Sequence, residues 1–176
     1  MTTQTCTDTV LPGVATPSQA DFRAAMARLP AAVNIITSDG PGGKVGITAT
    51  AMCSLTDSPP SVLVCLHEAS RATQAILKNG VLAVNMLGAG NEVLSGAFAG
   101  QQNLDMPERF ALDEGHWRTL HTGSPILENG VGSFDCLITE SHKVGTHFIL
   151  CCAVQALIAG PCEESLLYHQ RAYKHC

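Results

Sequence analysis

The chain of 176 residues is short of charge and of aromatic side chains: charged residues make up 14% and aromatics 5%, with a single Trp. A folded surface this poor in charge implies that part of it is covered by another subunit, so an oligomer is expected. No run of Lys or Arg occurs and the formal net charge is −5, which excludes a phosphate-backbone partner. No apolar run is long enough to span a bilayer. The segment before Thr16 has neither the basic nor the apolar part of a secretory signal, so a cytoplasmic protein with no membrane partner is expected. The eight cysteines contain no CxxC pair, and several lie inside apolar strand-like runs as small hydrophobes, so reduced thiols are expected. No HExxH or paired His/Cys spacing offers a metal site, and no GxSxG elbow offers a serine nucleophile.

Two glycine-rich segments fail as nucleotide motifs. Lys44 in Gly40-Pro41-Gly42-Gly43-Lys44 is followed by Val45 rather than Ser or Thr, and by a strand rather than a helix. Gly88-Ala89-Gly90 lies between a strand and a helix, but Val93 stands where a dinucleotide fingerprint needs its third glycine.

The remaining pattern is mainly β. Residues 1–16 read as a flexible N-terminal segment and 17–176 as one domain. Ser18 caps a helix with Phe22, Ala25, Met26 and Leu29 on one face, ended by Pro30. Ala32 to Thr37 and Val45 to Met52 read as a hairpin, and Ser61 to Leu66 as a buried strand. A helix capped by Ser70 and closed by Asn79-Gly80 follows, then a strand from Val81 to Leu87 and a helix from Asn91 to Ala99. Residues 100–125 read as polar loop. Ser133 to Glu140 and Phe148 to Ala159 read as long antiparallel strands joined by a loop from Ser141 to His147, and Leu166 to Tyr168 as a last strand. Strands outnumber helices without βα alternation, which predicts a β-barrel with a few peripheral α-helices.

Two segments have chemistry in them. From Gly46 to Pro60, small and hydroxyl residues alternate: Thr48, Thr50 and Ser54 on one parity, Ala49 and Ala51 on the other. Such a strand leaves its backbone open to a flat ligand, although a tightly packed barrel strand needs small residues equally. In Cys65-Leu66-His67-Glu68-Ala69-Ser70-Arg71, a strand end runs into a helix N-terminus with a hydroxyl and an arginine, a competent phosphate site. Here too a plain cap with a solvated Arg71 would look the same. A ring-binding strand beside a phosphate-binding cap is what a flavin nucleotide requires.

From Phe22 to Tyr173 the sequence resembles the flavin reductase components of two-component aromatic monooxygenases, of the 4-hydroxyphenylacetate and chlorophenol type. It is also similar to the flavin reductase of pyrimidine degradation. The landmarks are Phe22-Arg23-Ala24-Ala25-Met26, Ala32 to Thr37, Gly46 to Pro60, Val64-Cys65-Leu66, Val84-Asn85, Phe98-Ala99-Gly100, Phe134-Asp135-Cys136, Gly145-Thr146-His147 and Leu167-Tyr168. The resemblance implies a split β-barrel that forms a homodimer with the flavin near the interface. It implies an NADH-dependent reductase of FAD or FMN that passes reduced flavin to a separate flavin-dependent monooxygenase. Lys44, Val45, Gly46, Ile47, Thr48, Thr50 and Ala51 would line the ring and ribityl chain. Cys65, Leu66 and His67 would touch it from the next strand, with Ser70 and Arg71 at the phosphate and Ala99 and Gly100 closing one side. His147 would stand at the nicotinamide as the one catalytic residue. Other readings of such a barrel are a flavin-binding module without turnover, or an enzyme acting on a corrin or pyridoxamine phosphate.

Overall fold

The computed structural model describes residues 13–113 and 116–176, so most of the predicted 1–16 segment lies outside the described residues. Seven strands form one antiparallel sheet: β2 (Asn34–Ser38), β3 (Val45–Ala49), β4 (Met52–Asp57), β5 (Pro60–His67), β6 (Val81–Met86), β9 (Gly132–Val144) and β10 (His147–Ala159). Their order is β3-β2-β6-β9-β10-β5-β4. The two edge strands, β3 and β4, are therefore consecutive in the chain and separated only by Thr50 and Ala51. Two residues reach at most about 7 Å, so the two edges must meet there. The sheet curls into a barrel with an open seam, as the resemblance implied.

Alternation fills the barrel. Val62, Val64 and Leu66 on β5, Leu82 and Val84 on β6, and Leu150 and Cys152 on β10 point inward with Ile36 and Cys136. The helix α2 (Arg71–Asn79) packs onto this core through Ala72, Thr73 and Ile76, and ends at Gly80 in the left-handed conformation. Strand β2 is buried throughout because its other face meets a second core, where Val33 and Ile35 pack with Leu94, Phe98, Phe110 and Leu127. That core is built by α3 (Glu92–Phe98), α4 (Met106–Ala111), and the hairpin of β7 (Trp117–Thr119) and β8 (Pro125–Leu127). A small sheet of β1 (Ala31–Ala32), β11 (Leu166–His169) and β12 (Ala172–His175) completes the domain, with α1 (Gln19–Met26) outside it.

Asn85 ties the two cores together. Its Nδ2 donates to the Ile35 carbonyl at 3.0 Å and Thr37 Oγ1 at 2.9 Å, and its Oδ1 accepts from the Leu127 amide at 2.7 Å and Ser133 Oγ at 2.9 Å. All four side-chain bonding positions of a fully buried amide are thereby used.

Several boundaries differ from the sequence reading. The strand expected over Ala32 to Thr37 is divided at Val33, whose amide bonds Leu166 and whose carbonyl accepts from Leu87, so the chain changes sheets there. The run from Val45 to Met52 breaks at Thr50–Ala51 because the chain crosses the seam. Residues 100–125 are not all loop: Asp105 and Glu108 form a reciprocal capping box that starts α4, with Pro107 in its first turn. The loop expected from Ser141 to His147 shrinks to Gly145 and Thr146, because Gly145 at φ +56° turns the chain tightly. Its polar residues belong to an exposed two-stranded ribbon.

Candidate functional site

The open seam faces a cavity of about 210 Å³. Thr48 and Ala49 line it from β3, Thr50 from the crossing that follows, and Ala99 from the end of α3, opposite Tyr168 and Tyr173 of the small sheet. The polar side of the cavity is a chain of hydrogen bonds. Thr48 Oγ1 donates to the Ser95 carbonyl at 2.6 Å, and Ser95 Oγ lies 2.9 Å from the Tyr173 hydroxyl. The two tyrosine rings meet edge to face at 5.5 Å, held as cross-strand partners by the β11–β12 hairpin. The turn of that hairpin puts Gln170 and Arg171 at φ +51° and +61°, and the Gln170 amide docks on the Ala27 carbonyl beyond α1.

Across the seam, the Cys65 amide donates to the Ala51 carbonyl at 2.9 Å, which joins the β3–β4 crossing to β5. Two residues further on, His67 lies directly opposite His147 of β10. The imidazoles meet edge to face with centroids 5.0 Å apart, and both are exposed. His67 Nδ1 accepts the Ala69 amide at 3.1 Å, which leaves Nε2 to carry the proton of the neutral ring. His147 Nδ1 lies 3.0 Å from Thr146 Oγ1. Ser70 and Arg71 follow as N-cap and first residue of α2. The Ser70 hydroxyl makes no capping bond and Arg71 makes no ion pair among the described residues, so both can serve a ligand.

The structure sorts the residues expected at a ligand. Thr48, Thr50 and Ala99 share the seam cavity, with Ala51 and Cys65 beside it and Gly100 following Ala99 at φ +75°. His67, His147, Ser70 and Arg71 gather just beyond Cys65, at the C-terminal end of β5 and the start of α2. Leu66 is buried in the barrel core, and Val45 and Ile47 pack against that core, so they present backbone at most. Gly46 is also buried: a Cβ there would strike the Phe98 ring, so this glycine lets α3 lie on β3. Lys44 lies at neither place; its ammonium sits 4.2 Å above the Phe110 ring. Sequence reasoning missed Val33, Ser95, Gln101, Tyr168 and Tyr173, which also line the seam cavity.

The cysteine chemistry is quiet. Burial, with Cys151 close by, pushes the Cys152 thiol from about 9 up to about 12, and burial raises Cys136 further. Cys65 is also raised, by burial and by nearby Cys53. No disulfide forms among the described residues. Among them, no group of three metal-ligating side chains exists, and no helix is long and apolar enough to cross a membrane.

Comparison with known proteins agrees with this architecture. The chain is 49% identical over 166 residues to an FMN reductase (NADH) RutF of Variovorax paradoxus, covering 93% of this chain and 90% of that one. It is 51% identical over 156 residues to an FMN reductase (NADH) RutF of Ancylobacter novellus, covering 89% and 84%. Among solved structures, the nitrilotriacetate monooxygenase component B homologue of Mycobacterium thermoresistibile matches with a TM-score of 0.79 at 30% identity, covering 90% of this chain and 86% of that one. A flavin reductase domain protein of Arthrobacter matches with a TM-score of 0.80 at 28% identity, covering 90% and 96%. The flavin reductase like domain model matches residues 26–176, and the chain belongs to that family.

Proposed function

We propose that the protein is an NADH-dependent FMN reductase, acting as a cytoplasmic homodimer, that supplies reduced flavin to a separate flavin-dependent monooxygenase. The observation that carries this reading is the near-half identity, over almost the whole of both chains, to relatives named FMN reductase (NADH). Those relatives favour the pyrimidine-degradation side of the resemblance over the aromatic-monooxygenase side, and FMN over FAD.

The residues present suit a flavin. The seam cavity is walled by small side chains on one side and two tyrosines on the other, a slot for a flat ring with hydroxyls at its edge. A bound flavin supplies the redox chemistry, accepting hydride from the nicotinamide. Thr48 and Thr50 orient the ring's polar edge, while Tyr168 and Tyr173 cover it and exclude water. Ser70, Arg71 and the first amides of α2 hold the phosphate. His147, braced by His67, positions the nicotinamide and transfers no proton. Alignment of the two rings is the protein's main contribution. Phe22 and Met26 on α1 and Leu29 just after it, with Leu55, Leu137 and Leu157 on the barrel, leave large apolar side chains exposed on a single chain. A second copy covering them accounts for that surface.

The test is anaerobic mixing of the protein with NADH and excess FMN. Catalytic bleaching of the flavin is expected. Bleaching limited to one equivalent would make the protein a flavin-binding module instead.

A further inference from the structure

A second and larger cavity, of about 400 Å³, lies outside the seam and has no part in the account so far. Lys44, Met106, Pro107, Phe110, Ala111 and Trp117 line it. Its walls are aromatic: Phe110 and Trp117 meet edge to face at 5.0 Å, and Phe98 stands behind both at 5.0 and 5.9 Å. These walls are fixed before any ligand arrives. The capping box holds α4, Arg109 Nε bonds the Leu104 carbonyl at 3.1 Å, and Trp117 is paired with Leu127 in the β7–β8 hairpin.

Two polar groups on the lining residues are unpaired among the described residues, and the Lys44 ammonium is the one open to the cavity. The Lys44 ammonium sits over the Phe110 ring and has no carboxylate partner among the described residues. Trp117 Nε1 is buried with no hydrogen-bond partner among them. Aromatic walls and one cation together select a planar aromatic group with an anionic substituent.

The position narrows the ligand further. Lys44 immediately precedes β3, and Thr48 of the seam cavity is four residues on, about 13 Å at strand rise. Phe98 backs the aromatic cavity while its neighbour Ala99 lines the seam. The two cavities thus flank the same contact of β3 with α3, at a separation that a pyrophosphate-linked dinucleotide can span. We propose that the aromatic cavity is the subsite for the adenosine diphosphate half of a dinucleotide whose reacting ring lies at the seam. Adenine packs against Phe110 and Trp117, and Lys44 pairs with the pyrophosphate. The proposal rests on the seam being the flavin and nicotinamide site.

Trp117 is the single tryptophan of the chain and reports on its own pocket. ADP titrated into the full-length protein should change its emission saturably, and inorganic phosphate should not. Lys44→Met should weaken ADP by at least about tenfold, as expected for one charge-assisted contact. Ala111→Leu, at an exposed position on the rim, should weaken it similarly by filling the cavity. Steady-state KM values of Ala111→Leu then identify the source. A rise for FAD with FMN unchanged assigns the subsite to the flavin dinucleotide, and a rise for NADH with FMN as acceptor assigns it to the nicotinamide dinucleotide. No emission change with ADP, or KM values unaltered for both dinucleotides, overturns the proposal. Separate titration of FMN by flavin fluorescence keeps the outcomes apart: FMN binding without an ADP response condemns the subsite alone, whereas an ADP response without FMN binding condemns the seam reading.

Discussion

The two sides of the barrel are built differently. On the closed side, β2, β6 and the first half of β9 are covered on both faces, and Asn85, Thr37 and Ser133 bond to one another between them. On the open side, β4 is almost wholly exposed, and Thr50 and Ala51 cross a seam with little packed against it. The closed side therefore sets stability, and the open side is free to be shaped by ligands. On the proposed reading, a rigid wall beside an underpacked edge would let a fold with so little acid–base machinery hold two flat rings in register.

Substitutions should separate the two sides cleanly. The largest effect is expected from Asn85→Leu. It strips the partner from the buried Leu127 amide, while the Ser133 hydroxyl keeps the Leu127 carbonyl, and should cost about 3 kcal/mol of stability, the upper end of the roughly 1–3 kcal/mol cost of an unmatched buried group. Denaturant unfolding measures it; a loss under 1 kcal/mol would mean that the network relaxes. Next comes Arg71→Ala, which should weaken flavin binding by about 1.5–3 kcal/mol at unchanged melting temperature, as loss of one charge-assisted bond implies. An unaltered flavin KM would leave Arg71 a solvated helix residue. His147→Ala should raise the KM for NADH and slow flavin reduction while leaving FMN affinity nearly intact. Equal losses for both, read by FMN titration and stopped-flow reduction, would make His147 a fold residue. The smallest effect belongs to the β11–β12 turn. Arg171→Gly should stabilise by about 1 kcal/mol, since a non-glycine residue at positive φ costs about that much, visible as a small rise in melting temperature. A fall would mean that the Arg171 side chain matters more than its backbone.

Alkaline pH probes the closed side independently. The folded Cys152 thiol titrates near 12 against about 9 when exposed, so between those values the folded state holds the extra proton. The stability it contributes is full below about pH 9 and is lost as pH rises toward 12. Cys136 adds to the same trend. Cys152→Ala should flatten part of this slope in unfolding curves taken across that range.

What could be read in the sequence follows the same division. Alternation in β5, β6 and β10 and the Ser18 and Gly80 helix ends are local signals, and the elements appear where those signals lie. The hydroxyl-rich strand drew attention to Thr48 and Thr50, and the structure places both on an open edge that lines the seam cavity. Gly46 has the same smallness for a different cause, the Phe98 ring across from it, and no local pattern distinguishes the two. The capping box at Asp105-Met106-Pro107-Glu108 was legible, but the polar residues around it hid α4. Tyr168 and Tyr173 reach the cavity only through a hairpin whose Gln170-Arg171 turn lacks the usual Asn or Gly, so nothing in the sequence announced it. The resemblance links Lys44 to the ring site, whereas the direction of its side chain carries it over the Phe110 ring to the aromatic cavity.

The central claim, that the open seam is the flavin site, is tested most directly by FMN titration of Ala99→Phe. Ala99 is exposed at the end of α3 and lines the seam cavity, so a phenyl ring there fills the slot without disturbing either core. The account predicts at least about a tenfold loss of FMN affinity, the size of a blocked ring contact of about 1.4 kcal/mol or more, with an unchanged melting temperature. FMN affinity equal to that of the unsubstituted protein would contradict it and move the flavin elsewhere on the barrel.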